Sequence, residues 1–225
     1  MKFPKFPKNI KQHMPFIGEI NGKPEFLACF SEFGSNNWKI YRYNEEWGWV
    51  RLTNAPEEII ECNPSVEQNG NDIIYSWSYQ TPTDMGSGII QKISKENFVE
   101  ILNKQPLNFS EYSKSQPIPY GIYHNSNFYT RNGVRDAIGA ELVIHLQAYN
   151  ENTLIVTYIK NNNKISALFD TNEEKLLCEL KDKNGKYLYK PCCYKGEWFG
   201  VVTLKGNDTE NRYIIPVNVE GELCR

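Results

Sequence analysis

A unit of two hairpins recurs along the chain, and no other feature of the sequence restricts the fold as strongly. Polar turns at Asn21-Gly22, Asn69-Gly70, Asn150-Glu151-Asn152 and Lys195-Gly196 each lead into a run rich in β-branched and aromatic residues: "EFLACFS", "DIIYSWS", "TLIVTYI" and "EWFGVVTL". A second hairpin follows each, in Lys39 to Thr53, Gly88 to Leu102, Lys164 to Leu180 and Arg212 to Arg225. Its tip carries Asn, Glu, Lys or Gly, where turn chemistry belongs. The turns at Asn21 and Asn69 lie 48 residues apart, those at Asn150 and Lys195 45, and Ile40 and Ile90 50. Four strands repeated every 40 to 50 residues is the pattern of a β-propeller blade.

Between Ile90 and Ile165 the spacing stretches to 75 residues, and "PIPYGIYHNSNFYTR" inside it reads as an inner hairpin without its outer strands. The expectation is therefore an all-β chain forming a single β-propeller. It has five blades, beginning near residues 14, 58, 115, 140 and 186, with an eroded third one. A basic arm over residues 1–13 precedes the propeller domain over 14–225. Four full blades plus an inserted hairpin, or a larger ring completed by a second chain, are the alternatives. Helical pattern is confined to "RNGVRDAIGAELVIHL".

The stretch "NPSVEQNGNDIIYSWS", preceded by "WKIYRYNEEWGWVRLTNAPEEIIE", resembles the TolB-type β-propeller repeat. That repeat has an "RLT" segment, a proline-serine inner strand, an Asn/Asp-Gly turn and an "I-Y-S" strand. The likeness runs from Trp38 to Ser78, and the other copies lack the Pro-Ser pair. It implies a blade and no particular activity. Five blades would resemble the tachylectin-like lectins and the five-bladed glycosidases, a likeness of fold alone.

Composition narrows the function classes. At 225 residues, with 40% hydrophobic and 23% charged residues, the chain is ordinary globular material. A net charge of −2 argues against nucleic acid, which favours a strongly basic surface. No apolar run is long enough for a membrane span. The start, "MKFPKFPKNIKQH", has no apolar core and does not read as a secretory signal. It reads instead as a flexible tail or a proline-broken edge strand, or as an arm for an anionic partner. Its pairing with the last blade is one way to close the ring. The cysteines (Cys29, Cys62, Cys178, Cys192, Cys193 and Cys224) have no metal-type spacing. They fit reduced, partly buried thiols in the cytoplasm or another reducing compartment. Scattered His13, His124 and His145, and the lack of a glycine-rich phosphate loop, give no reason to expect a metal or cofactor.

Propeller architecture places a ligand where the inner strands begin. Counting back about eight or nine residues from each inner turn reaches His13, Glu61, Gln116, Glu141 and Tyr187. Glu61 and Glu141 suggest a glycosidase pair, for which two carboxyls stand about 5–10 Å apart. The plainer reading makes them solvated residues at strand ends. Arg131, Arg135 and Asp136 form the most charged loop. Its arginines suit a carboxylate or phosphate, or the charges simply solvate the eroded blade. Trp38, Trp77, Tyr79 and Trp198 are candidates for stacking on a ligand, with Trp77 and Trp198 better suited to packing between blades. Trp47 and Trp49 flank a hairpin tip and suggest a partner patch. The leading expectation is a recognition module for a glycan, a polar small molecule or a protein surface. A glycoside hydrolase and a scaffolding propeller are the alternatives.

Overall fold

The computed structural model describes residues 1–83, 87–98, 106–109, 118–206, 209–217 and 219–220. They form several small antiparallel sheets and one capped helix between two of them. The first sheet runs in chain order through β1 (Ile10–Ile20), β2 (Lys23–Glu32), β3 (Lys39–Asn44) and β4 (Gly48–Arg51). The second contains β5 (Ile60–Asn69), β6 (Asp72–Gln80), β7 (Ser87–Ser94) and β8 (Ile118–Pro119). The hairpin β9 (Gly121–His124) and β10 (Asn127–Thr130) stands alone and runs into helix α1 (Arg131–Ile138). The next sheet holds β11 (Leu142–Asn150), β12 (Thr153–Lys160), β13 (Asn163–Asp170) and β14 (Lys175–Glu179). After the short β15 (Lys181–Asp182), a last sheet is built from β16 (Cys192–Tyr194), β17 (Glu197–Gly206) and β18 (Thr209–Val217).

Two strands depart from the expected hairpins. The outer strand of the second sheet is β8, from beyond the segment Gly88 to Leu102, of which residues 99–102 lie outside the described residues. The final strand, β19 (Val219–Glu220), pairs with β15 and not with β18. One residue separates β18 from β19, and an antiparallel hairpin needs a loop of at least two. β1 also starts at Ile10, inside the stretch read as an arm.

Local chemistry sets these turns. Asn21-Gly22, Asn125-Ser126, Asn161-Asn162 and Lys195-Gly196 all have positive φ at both positions, the backbone that matches the twist of a two-residue hairpin. At the wider tips, Asn44 Oδ1 accepts from the Glu46 and Trp47 N–H groups at 2.8 and 3.0 Å. Asp170 Oδ1 repeats this with Asn172 and Glu173, also at 2.8 and 3.0 Å. Helix α1 begins at Thr130, whose Oγ1 accepts from Gly133 N, and ends on Gly139 in the left-handed region.

The first strands of five of these sheets meet one another in turn. β1 packs on β5, β5 on β9, β9 on β11, β11 on β16, and β16 on β1. Gly18 makes the β1–β5 contact possible: a Cβ there would lie 2.5 Å from Val66 Cγ1 and 2.7 Å from Val66 O. At the hairpin-turn end, polar side chains link one turn to the next. Asn21 N donates to Gln68 Oε1 at 2.8 Å, and Asn125 N to Glu67 Oε2 at 2.8 Å. His124 Nε2 meets Asn150 O at 2.7 Å, and Tyr194 Oη donates to Glu19 Oε2 at 2.6 Å.

Between these seams lie apolar layers, the largest joining Leu27, Ile40, Ile73, Tyr75 and Trp77 of the first two sheets. One buried ion pair crosses it. Arg42 grips Glu25 through Nε at 2.7 Å and Nη2 at 3.2 Å, and Tyr75 Oη donates to the same carboxylate at 2.9 Å. Trp77 is fully buried, and Trp198 stacks on Tyr149 with centroids 5.5 Å apart, so both are packing residues.

Residues 1–7 form no strand. Phe3 packs on Phe26 of the first sheet and Phe199 of the last, and Phe6 stacks on Trp49 with centroids 4.6 Å apart. Trp49 Nε1 donates to Lys5 O at 3.0 Å. Trp49 therefore lies under the arm and forms no open patch with Trp47, which is 49% exposed.

Candidate functional site

At the end opposite the linked turns, the first strands share a distortion. β1 breaks register between His13 and Phe16, β5 between Cys62 and Ser65, and β11 between Val143 and His145. Met14 and Asn63 take positive φ at the first two breaks, and Lys190 does so just ahead of β16. Each of the three precedes a proline, at Pro15, Pro64 and Pro191. A bulge re-aims the side chains beside it. Here His13, Cys62, Asn63, His145 and Lys190 turn into one buried polar cluster, joined by Tyr120 ahead of β9.

The contacts within the cluster run between strands distant in sequence. Lys190 Nζ touches His13 Nε2, and Arg212 Nη1 lies 3.3 Å from His13 Nδ1. His145 Nδ1 lies 3.2 Å from Asn63 Oδ1, and its Nε2 lies 3.1 Å from Gln147 Oε1. Cys62 Sγ meets Tyr120 Oη at 2.5 Å, and Asn63 N donates to Met14 Sδ at 3.2 Å. Arg131 covers the Tyr120 ring at 4.3 Å and donates through Nε to Val143 O. Trp38 closes the side near β1: its ring lies 4.6 Å from that of His13, with Arg212 at 5.8 Å and Lys11 at 6.0 Å from its centroid.

Electrostatics follow from burial and from an excess of cations. Burial, then the charges of Lys190 and Arg212, push His13 well below the usual imidazole range. Burial and Lys190 bring His145 down to about 3. Burial lowers Lys190 to about 7, with Arg212 and Arg131 adding to the effect. Burial lifts the Cys62 thiol to about 11, which makes it a poor nucleophile. Among the described residues Lys190 has no carboxylate partner, and no trio of His, Cys, Asp or Glu is grouped as a metal site.

The residues singled out in the sequence separate into three settings. His13, Trp38 and Arg131 belong to the cluster. Glu61 lies beside it, completely buried in β5, with its N–H on Trp38 O at 2.8 Å. Its Oε1 accepts from Thr53 Oγ1 at 2.6 Å, Oε2 has no protein partner, and burial raises its pKa. The remainder have other partners. Glu141 is exposed and accepts from Asn161 N at 2.7 Å, an environment unlike that of Glu61. Arg135 and Asp136 pair with each other on the exposed side of α1 at 2.7 Å. Tyr79 is buried edge-on against Phe109 at 5.1 Å. Tyr187 donates to Glu179 Oε2 at 2.9 Å beneath the Lys181 ammonium. Gln116 lies outside the described residues.

Sequence reasoning missed Asn63, Tyr120, His145, Lys190 and Arg212. A signal was present: Pro15, Pro64 and Pro191 recur a few residues ahead of the inner turns, and each marks the residue before it. No protein-family model matches this chain, and no curated protein matches it.

Proposed function

We propose that the chain is a five-bladed β-propeller that acts as a recognition module, taking a polar ligand at the end where its innermost strands begin. The cycle of contacts from β1 through β5, β9, β11 and β16 back to β1 supports the architecture. So do the four strands in each of three sheets and the bare hairpin β9–β10 at the eroded position. One observation carries the function: five separate segments send His13, Asn63, Tyr120, His145 and Lys190 to one place. Packing alone would fill such a centre with apolar side chains, since buried polar groups stabilise only when fully matched. Convergent polar groups at the mouth of a repeat architecture are how a rigid scaffold presents a ligand site.

The test is a thermal-shift screen of glycans and polar metabolites, followed by the variants Trp38→Leu and Trp47→Ala. A ligand at one hundred times its Kd stabilises the fold by about 2.7 kcal/mol. The expected outcome is a shift lost in Trp38→Leu and kept in Trp47→Ala. The opposite pattern would favour a scaffold that binds through its hairpin tips.

A further inference from the structure

The ligand class follows from donors and acceptors in the cluster, and the inference rests on the recognition reading above. A neutral imidazole offers one N–H and one lone pair. His13 faces Lys190 Nζ on one nitrogen and Arg212 Nη1 on the other, so two cationic donors compete for a single acceptor. His145 poses the converse case. Its nitrogens face Asn63 and Gln147, and whichever amide presents its N–H, the other polar atom of Asn63 is left without a protein partner. Asn63 is completely buried. The groups facing Lys190 are His13 from β1, Cys29 from β2, Cys62 from β5, Arg131 from α1, His145 from β11 and Arg212 from β18. Not one of them is a carboxylate. Glu61, which directly precedes Cys62, is buried and held by Thr53, and the cations that act on it are Lys39 and Arg51.

We infer that this cluster is an oxyanion site, binding the carboxylate, phosphoryl or sulfuryl group of a small ligand between Lys190, Arg131 and His13, with Trp38 and Tyr120 walling it. An oxyanion supplies acceptors to a place crowded with donors and charge to a place crowded with cations. It lets Lys190 hold its proton, and His13 then needs to satisfy Arg212 alone. The half-buried Arg131, Arg212 and Tyr120 form its solvent side.

Calorimetric titration with sodium sulfate tests this, with sodium chloride balancing ionic strength, at pH 6 and pH 8.5. Sulfate keeps its charge across that range, so a change in affinity belongs to the protein. Binding is expected at pH 6 and at least tenfold weaker at pH 8.5, where Lys190 is neutral. Lys190→Met and Arg131→Met should each weaken binding tenfold or more at pH 6, while Lys190→Arg retains it and Lys175→Ala, on an exposed tip, changes nothing. Phosphate and succinate, titrated in parallel, separate phosphoryl from carboxylate preference. The inference is overturned if none of the three anions binds better than chloride at pH 6, or if both methionine variants bind undiminished. Neutral glycans bound through Trp38 in the absence of anion binding would overturn the oxyanion class alone. No ligand of either kind would remove the recognition reading with it.

Discussion

Taking an ammonium out of water costs several kcal/mol unless a counter-charge repays it, and among the described residues Lys190 lies with His13, Arg131 and Arg212 and has no carboxylate partner. The cost has a pH signature. Folded Lys190 holds its proton only up to about 7, against an ordinary value of 10.5. Above pH 7 the unfolded chain thus binds the extra proton, and stability rises with pH by about 1.4 kcal/mol per unit. The window for this runs to about pH 8.5, beyond which the unfolded thiols titrate and oppose it. Below about pH 6.5 the buried neutral His13 and His145 act in the other direction of the scale. The unfolded chain protonates them first, so stability falls as acid is added. Urea midpoints at pH 5, 7 and 8.5 should therefore climb throughout. Lys190→Met should be more stable than the parent at pH 7, with the upper part of the climb flattened. A midpoint unchanged between pH 7 and 8.5 would mean that Lys190 is not charged-and-buried as described. Under the oxyanion proposal, a bound anion would offset this cost.

Among the elements, the hairpins were legible because their turns need particular residues. Asn21-Gly22 and Lys195-Gly196 adopt the positive φ that such pairs supply, and β2 and β17 follow them as read. Less legible were the bulges at His13, Cys62 and His145. A bulge leaves little trace in hydrophobic periodicity, yet it moves a side chain to another face and so decides which residues reach the site. Counting back from the turns therefore found His13, and on the other strands ran two to four residues past Asn63, Tyr120, His145 and Lys190. The β1–β5 seam was invisible for a different reason: it depends on Gly18 having nothing where Val66 sits. Gly18→Ala should cost about 1–3 kcal/mol by overpacking, because Val66 O belongs to the backbone and has little room to yield. Chemical denaturation measures this, and a loss under about 0.5 kcal/mol, typical of open surface sites, would mean that the two strands pack less closely than described.

For the molecule as a whole, the arm ahead of β1 joins the first sheet to the last. Phe3 touches both, and Phe6 lies on Trp49. Removing both rings, as Phe3→Ala with Phe6→Ala, should cost about 2–4 kcal/mol, since each is only partly buried. Thermal unfolding reads the loss, and Trp49 fluorescence should shift to longer wavelength as the indole meets water. An unchanged melting temperature would mean that the arm rests on the surface without fastening the two sheets. The same meeting of β1 with β16 has a consequence in time. His13 and Lys190 are separated by 177 positions, so β1 leaves the ribosome long before its neighbour is made. Contacts between such distant segments form slowly, because loop entropy is lost before they can reward it. Until the last sheet arrives, the outer edge of β1 is a template that any passing strand can join. The interval between making the first sheet and seating the last is thus when this chain is most exposed to aggregation.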